Sequence, residues 1–116
     1  MRVDKRDFRK VSDILKAIRL IFSFIEQQDF STFSASDLLQ SAVIRQFEII
    51  GEAAGKISEE TQNNFSNVEW HSIKSFRNML IHEYFKVDAA EVWTSIQIDL
   101  PVLNEQMNEI LATLSE

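Results

Sequence analysis

The chain has 116 residues, about one domain's length, with 2 Gly, 1 Pro and no Cys. So few turn formers exclude a β-sandwich or barrel, which needs a turn every 8–12 residues or so. Without cysteine there is no disulfide scaffold, thiol nucleophile or Cys-ligated metal, and a net charge of −6 argues against broad electrostatic binding of nucleic acid.

The first apolar set is Phe8, Val11, Ile14, Leu15, Ile18, Phe22 and Ile25. Steps of three and four mark one stripe of a helix, predicted over residues 4–28. Leu20, Ile21 and Phe24 widen the stripe, so this helix is expected to touch more than one neighbour. Residues 27–33 have no period and read as a loop. Ser34 or Ser36 can cap a second helix, with Asp37 in its first turn opposing the dipole. That helix is predicted to run to about residue 57. It contains Gly51 and Gly55, four apart on one face, each costing about 1 kcal/mol against Ala in a helix interior. Two glycines placed there point to close approach by another backbone. Residues 58–68 are polar and read as a connection with room for one helical turn. Trp70, Ile73, Arg77, Leu80, Ile81 and Tyr84 define a third helix over 69–83. Asp88 and Glu91 have capping-box spacing and open a last helix through Leu114. Pro101 lies inside it and cannot donate to residue 97, so a kink or break is expected there. Residues 1–116 thus read as one all-α domain, a helical bundle.

Charge is polarised along the chain. Residues 1–20 are net +4, residues 21–86 net −4, and residues 87–116 hold six acids and no base. A polyanion would have to approach the N-terminal segment or a local basic site. No apolar run reaches the roughly 18–20 residues of a membrane span, and no signal-type apolar stretch follows Met1–Asp7. The expectation is a cytoplasmic protein without a membrane partner.

The densest polar cluster on an otherwise apolar helix is Arg77-Asn78-Met79-Leu80-Ile81-His82-Glu83-Tyr84. Arg77 and Tyr84 share a face, separated by about 10 Å of rise. Asn78 and His82 share another. Arg77 and His82 are about 140° apart around the axis, so one straight helix does not bring them together. Either the helix end distorts or two copies meet across a dimer. Arginine and histidine suffice for phosphodiester cleavage without a metal or cofactor, because RNA supplies its own 2′-hydroxyl nucleophile. Histidine, with an ordinary pKa of about 6.5, moves protons near neutrality. Arginine stabilises charge growing on phosphate. Asn78 could orient either group, and Tyr84 could stack a base or bond a phosphate. The same residues also suffice merely to hold a phosphate, and a His in a last helical turn commonly serves only the free carbonyls. His71 beside Trp70 has no such pattern, and Trp70 and Trp93 read as core or interface anchors. Glu48 and Glu52, four apart, read as a solvated face rather than a metal site.

At this cluster the chain resembles the HepT-like toxins of the HEPN superfamily, whose signature is Arg-x4–6-His-x-Tyr. The likeness extends to Ala42–Ala54 with its Ile50-Gly51-Glu52-Ala53 ending, to Trp70, to Phe85-Lys86-Val87-Asp88 and Val92-Trp93, and to Asp99-Leu100-Pro101-Val102-Leu103. It departs at Ser75-Phe76, where a small residue followed by Met or Leu is expected. The resemblance implies a HEPN-type four- to five-helix up-and-down bundle. It implies a homodimer in which the Arg and His of both subunits line one cleft. The activity implied is a metal-independent endoribonuclease acting as a toxin, partnered by a minimal nucleotidyltransferase antitoxin. On that pattern Arg77 and His82 are the catalytic pair and Asn78 and Glu83 support them. Tyr84 is the residue whose adenylylation silences the enzyme. Two competitors stay open: a HEPN dimer that binds nucleotides or partners without cutting, and a purely structural dimerisation partner of the nucleotidyltransferase.

Overall fold

The computed structural model describes residues 5–83 and 86–115. Tyr84 and Phe85, which carry two of the sequence expectations, lie outside them. Every described element is a helix: α1 (Lys5–Ile25), α2 (Phe30–Ala35), α3 (Asp37–Gly55), α4 (Glu59–Asn64), α5 (Trp70–His82), α6 (Ala89–Thr94), a π-helical turn (Ser95–Asp99) and α7 (Leu100–Leu114). The long helices α1, α3, α5 and α7 form an all-α bundle, with α1 packed between α3 and α7, and α3 against α5.

The apolar stripe of α1 behaves as its spacing dictates. Val11, Ile14, Ile18 and Ile21 are buried against Val43, Phe47 and Ile50 of α3 and Met107, Ile110 and Leu114 of α7 in one apolar cluster. The helix ends earlier than predicted, at Ile25. Just beyond it Gln27 adopts φ 61°, the left-handed conformation that terminates helices and that glycine adopts without strain.

The stretch read as a loop contains α2. The Asp29 side chain accepts from the Thr32 backbone N–H at 2.8 Å and caps it. That hydrogen bond, reinforced by the Thr32 side chain, holds the Asp29 carboxyl below its ordinary range. Phe33, fully buried, lies 5.3 Å from Trp93 between ring centroids. This contact gives six residues, too few for a visible helical period, a reason to order. Ser36 then caps α3 by accepting from Leu39 N at 3.0 Å, which places the start of α3 at the second of the two expected serines.

Asp7 is buried on α1, 1% exposed. Its carboxylate accepts from Ser58 N at 2.8 Å, Ser58 Oγ at 2.6 Å and Thr61 Oγ1 at 2.6 Å. Ser58 is itself the N-cap of α4. The first turn of α1 is thus tied to the polar connection after α3, which holds the end of α3 in place.

Pro101 does not break the last helix. It occupies the first turn of α7, directly after the π-helical turn. The Leu100 N–H reaches back five residues to the Ser95 carbonyl. The wider turn absorbs the donor that proline lacks, as single π-turns inside helices do. No described helix is long and apolar enough to cross a membrane.

Candidate functional site

Helix α5 carries the Arg77–His82 cluster, and its entry is fixed from outside. Trp70, its first residue, donates from Nε1 to the Phe65 carbonyl at 3.1 Å. Phe76 stands edge-on to Phe47 of α3, with centroids 5.1 Å apart and planes at 81°. The departure from the family pattern at position 76 is therefore an α3–α5 packing contact beneath the motif.

Gly51 faces α5. A Cβ built there would lie 2.8 Å from Cγ and 2.9 Å from Cδ of Arg77, and closer still to its Cβ. The absent side chain makes room for the Arg77 stem. What approaches Gly51 is therefore a side chain, where the sequence pointed to a backbone. Gly55 differs again: a Cβ there would meet nothing within 4 Å, so it opens onto space.

Arg77 is half-buried, and its Nε is shielded from solvent with no acceptor among the described residues. Buried donors are normally paired, and an unpaired one costs about 1–3 kcal/mol. No described carboxylate pairs with this guanidinium; Glu48 lies 3.8 Å from Arg45 and Glu52 3.4 Å from Lys56. Glu52 is exposed, in keeping with the solvated reading, whereas Glu48 is largely covered, with 21% of its side chain exposed.

Arg77 opens onto a cleft of about 620 Å³ between the end of α3 and the start of α5, lined also by Gly51, Gly55, Lys56, Trp70 and Lys74. His71 lies on its edge, exposed, 3.4 Å from Ser75 Oγ. Lys56 and Lys74 were not singled out by the sequence. Trp70, Lys74 and Arg77 follow steps of four and three, so one stripe of α5 faces this cleft.

His82 stands elsewhere. It is exposed in the last turn of α5 and does not line the cleft. The helix is regular through His82 and ends at Glu83, whose N–H donates to the Met79 carbonyl at 2.9 Å. The distortion that would have swung His82 toward Arg77 is absent between them. Within one chain they therefore remain about 140° apart around the axis with roughly 7.5 Å of rise. Asn78 is half-buried, and neither its side chain nor that of His82 has a hydrogen-bond partner among the described residues. Exposed Ile81 adjoins His82. Tyr84 lies outside the described residues.

This arrangement offers a half-buried guanidinium without a partner among the described residues at a basic cleft, and a solvent-facing imidazole five residues further along the helix. The model described as "Ribonuclease HepT-like" matches residues 14–110. "Putative RNase MJ1380" of Methanocaldococcus jannaschii is 33% identical over 106 residues, 90% of this chain and 97% of that protein. "Putative RNase TTE0752" of Caldanaerobacter subterraneus is 35% identical over 98 residues, 84% of this chain and 88% of that one. "Probable ribonuclease HepT" of Thermococcus cleftensis is 33% identical over 110 residues, covering 95% and 98%. No solved structure gives a significant match. With the family model spanning its core helices and relatives aligned over nearly their full length, the chain belongs to the HepT-like ribonuclease family.

Proposed function

We propose that the protein is a metal-independent endoribonuclease toxin that works as a homodimer, with Arg77 and His82 as its catalytic pair. The observation that carries the reading is an Arg77 seated on Gly51, without a partner among the described residues, on the same helix as a solvent-facing His82. Family membership supplies the substrate class, RNA.

In the proposed reaction the 2′-oxygen attacks the adjacent phosphorus, and the bond from phosphorus to the 5′-oxygen breaks. His82 moves the proton between these oxygens as general base or acid. Arg77 stabilises the negative charge that accumulates on the equatorial phosphate oxygens. The products are a 2′,3′-cyclic phosphate and a 5′-hydroxyl. Asn78, one turn before His82 on its face and without a partner among the described residues, supports the pair by bonding the imidazole or the phosphate once RNA is bound, and Glu83 supports the same helix end. The wide angular separation of Arg77 and His82 favours two copies of α5 meeting, so that both groups reach one phosphate. Exposed Ile81 offers apolar surface for that contact.

Control belongs to a minimal nucleotidyltransferase antitoxin that adenylylates Tyr84. The added phosphate would bring negative charge and bulk beside the motif, neutralising Arg77 and repelling RNA. Co-expression with that partner should add AMP to the intact mass, and Tyr84→Phe should abolish the addition. An unchanged mass beside an active partner overturns this part. Cleavage of RNA in EDTA, lost in His82→Ala, tests the catalytic part; cleavage that persists in the variant rejects His82.

A second reading has one observation in its favour: His82 does not line the basic cleft at Arg77. A dimer that binds nucleotides without cutting them would use that cleft alone. RNA left intact by the pure protein, with a melting temperature raised by nucleotide, would select it.

A further inference from the structure

We infer that the cleft between the end of α3 and the start of α5 is a nucleotide subsite. In it Lys74 joins Arg77 in holding a phosphate of the RNA strand. The inference rests on the proposed function for its ligand, RNA, and extends that site beyond the catalytic pair.

Four independent features converge there. The first is charge. In a chain of net −6, this one cleft gathers Lys56, Lys74 and Arg77 against the single carboxylate of Glu52, which Lys56 already engages at 3.4 Å. Lys74 is exposed and has no ion pair among the described residues. Lys74 and Arg77 are three apart on one helix, about 4.5 Å in rise, so both cations can meet one phosphate group. The second is the orphaned Nε of Arg77. The fold shields this donor without giving it an acceptor among the described residues, and an anion at the guanidinium would offset that loss through charge-assisted hydrogen bonds.

The third is space. Gly51 and Gly55 form one wall, and over Gly55 an added Cβ would meet nothing within 4 Å. Gly55, the last residue of α3, places no side chain over the cleft. The fourth is the opposite wall. Trp70, held by its hydrogen bond to the Phe65 carbonyl, lines the cleft about 10 Å along α5 from Arg77. A fixed aromatic surface beside cations is how single-stranded nucleic acid is commonly held, bases against the ring and phosphates on the charges.

Along α5 Trp70 and Lys74 precede Arg77, so a strand with its scissile phosphate at Arg77 and its neighbouring nucleotide in the cleft passes Lys74 toward Trp70.

The test uses the His82→Ala protein and a fluorescein-labelled ten-nucleotide single-stranded RNA, read by anisotropy against salt. Lys74→Glu should weaken binding by about tenfold, and Lys74→Gln should lower the log–log salt slope by about one. Gly55→Leu directs its Cβ into open space and should also weaken binding, without lowering the melting temperature. Lys16→Glu, on the exposed face of α1, should leave binding unaltered. Binding by Lys74→Glu and Gly55→Leu equal to the parent overturns the subsite, as does absence of binding at low salt. Cleavage assays with His82 restored separate the two proposals. RNA cut with an unchanged KM in Lys74→Glu rejects the subsite and leaves the nuclease. RNA bound through Lys74 but never cut rejects the nuclease and leaves the subsite.

Discussion

Replacing Gly51 with alanine adds one methyl group at the contact that seats Arg77. On helix propensity alone the change is favourable by about 1 kcal/mol. The new Cβ, however, would lie 2.8 Å and 2.9 Å from Cγ and Cδ of Arg77, and nearer still to its Cβ. The Arg77 Cβ is bound to the α5 backbone and cannot swing aside as a side-chain tip would. Restoring ordinary contact therefore requires α3 and α5 to part by up to an ångström or so. Overpacking of this kind costs about 1–3 kcal/mol, and a contact this close to backbone belongs at the upper end. The net expectation is a loss of about 1–2 kcal/mol, read as a lower urea midpoint with an unchanged m-value. A displaced guanidinium should also lower RNA cleavage by as much as about 100-fold at temperatures where the variant is fully folded. Two companions isolate the cause. Gly55→Ala makes the same chemical change over open space and should be neutral or stabilising. Arg77→Ala retains the offending Cβ, so Gly51→Ala should stay destabilising in that background and become harmless only in Arg77→Gly. A Gly51→Ala protein as stable as its parent would refute the close approach.

Three further outcomes follow from the fold. Asp7→Ala should cost about 2–4 kcal/mol, since it strands the Ser58 and Thr61 donors that the buried carboxylate now satisfies; a loss under 1 kcal/mol in urea denaturation would contradict this. Gln27→Gly should be neutral or mildly stabilising because position 27 is left-handed, whereas Gln27→Val should lower the melting temperature; equal stability of the two variants would deny the strain. The Asp29 carboxyl is held below 3.8, chiefly by the Thr32 backbone hydrogen bond. Its contribution to stability is thus present above 3.8 and lost as the pH falls through the lower folded value. An NMR titration of Asp29 with its midpoint at or above 3.8 would contradict the cap.

The long helices were legible because each buries a stripe that repeats every three or four residues, as in Val11, Ile14, Ile18 and Ile21. Short elements were less so. Helix α2 spans less than two turns, and its order comes from Phe33 meeting Trp93, sixty residues away. Asp7 looked like one more charge in a basic segment, because its partners lie 51 and 54 positions further along. The glycine pair announced a special surface but not that its two members serve different ends. At Pro101 the missing donor was legible, while the π-turn that accommodates it depends on packing. The angular gap between Arg77 and His82 followed from spacing alone, since α5 is regular through both. The cleft beside Arg77 did not, because its other wall is the end of α3.

The most direct test of the central claim is incubation of the purified protein with single-stranded RNA in EDTA, beside His82→Ala and Arg77→Ala variants of equal melting temperature. Cleavage by the unsubstituted protein alone, leaving 2′,3′-cyclic phosphate and 5′-hydroxyl ends, is the expected result. Intact RNA with all three proteins, or cleavage that survives either substitution, would contradict it.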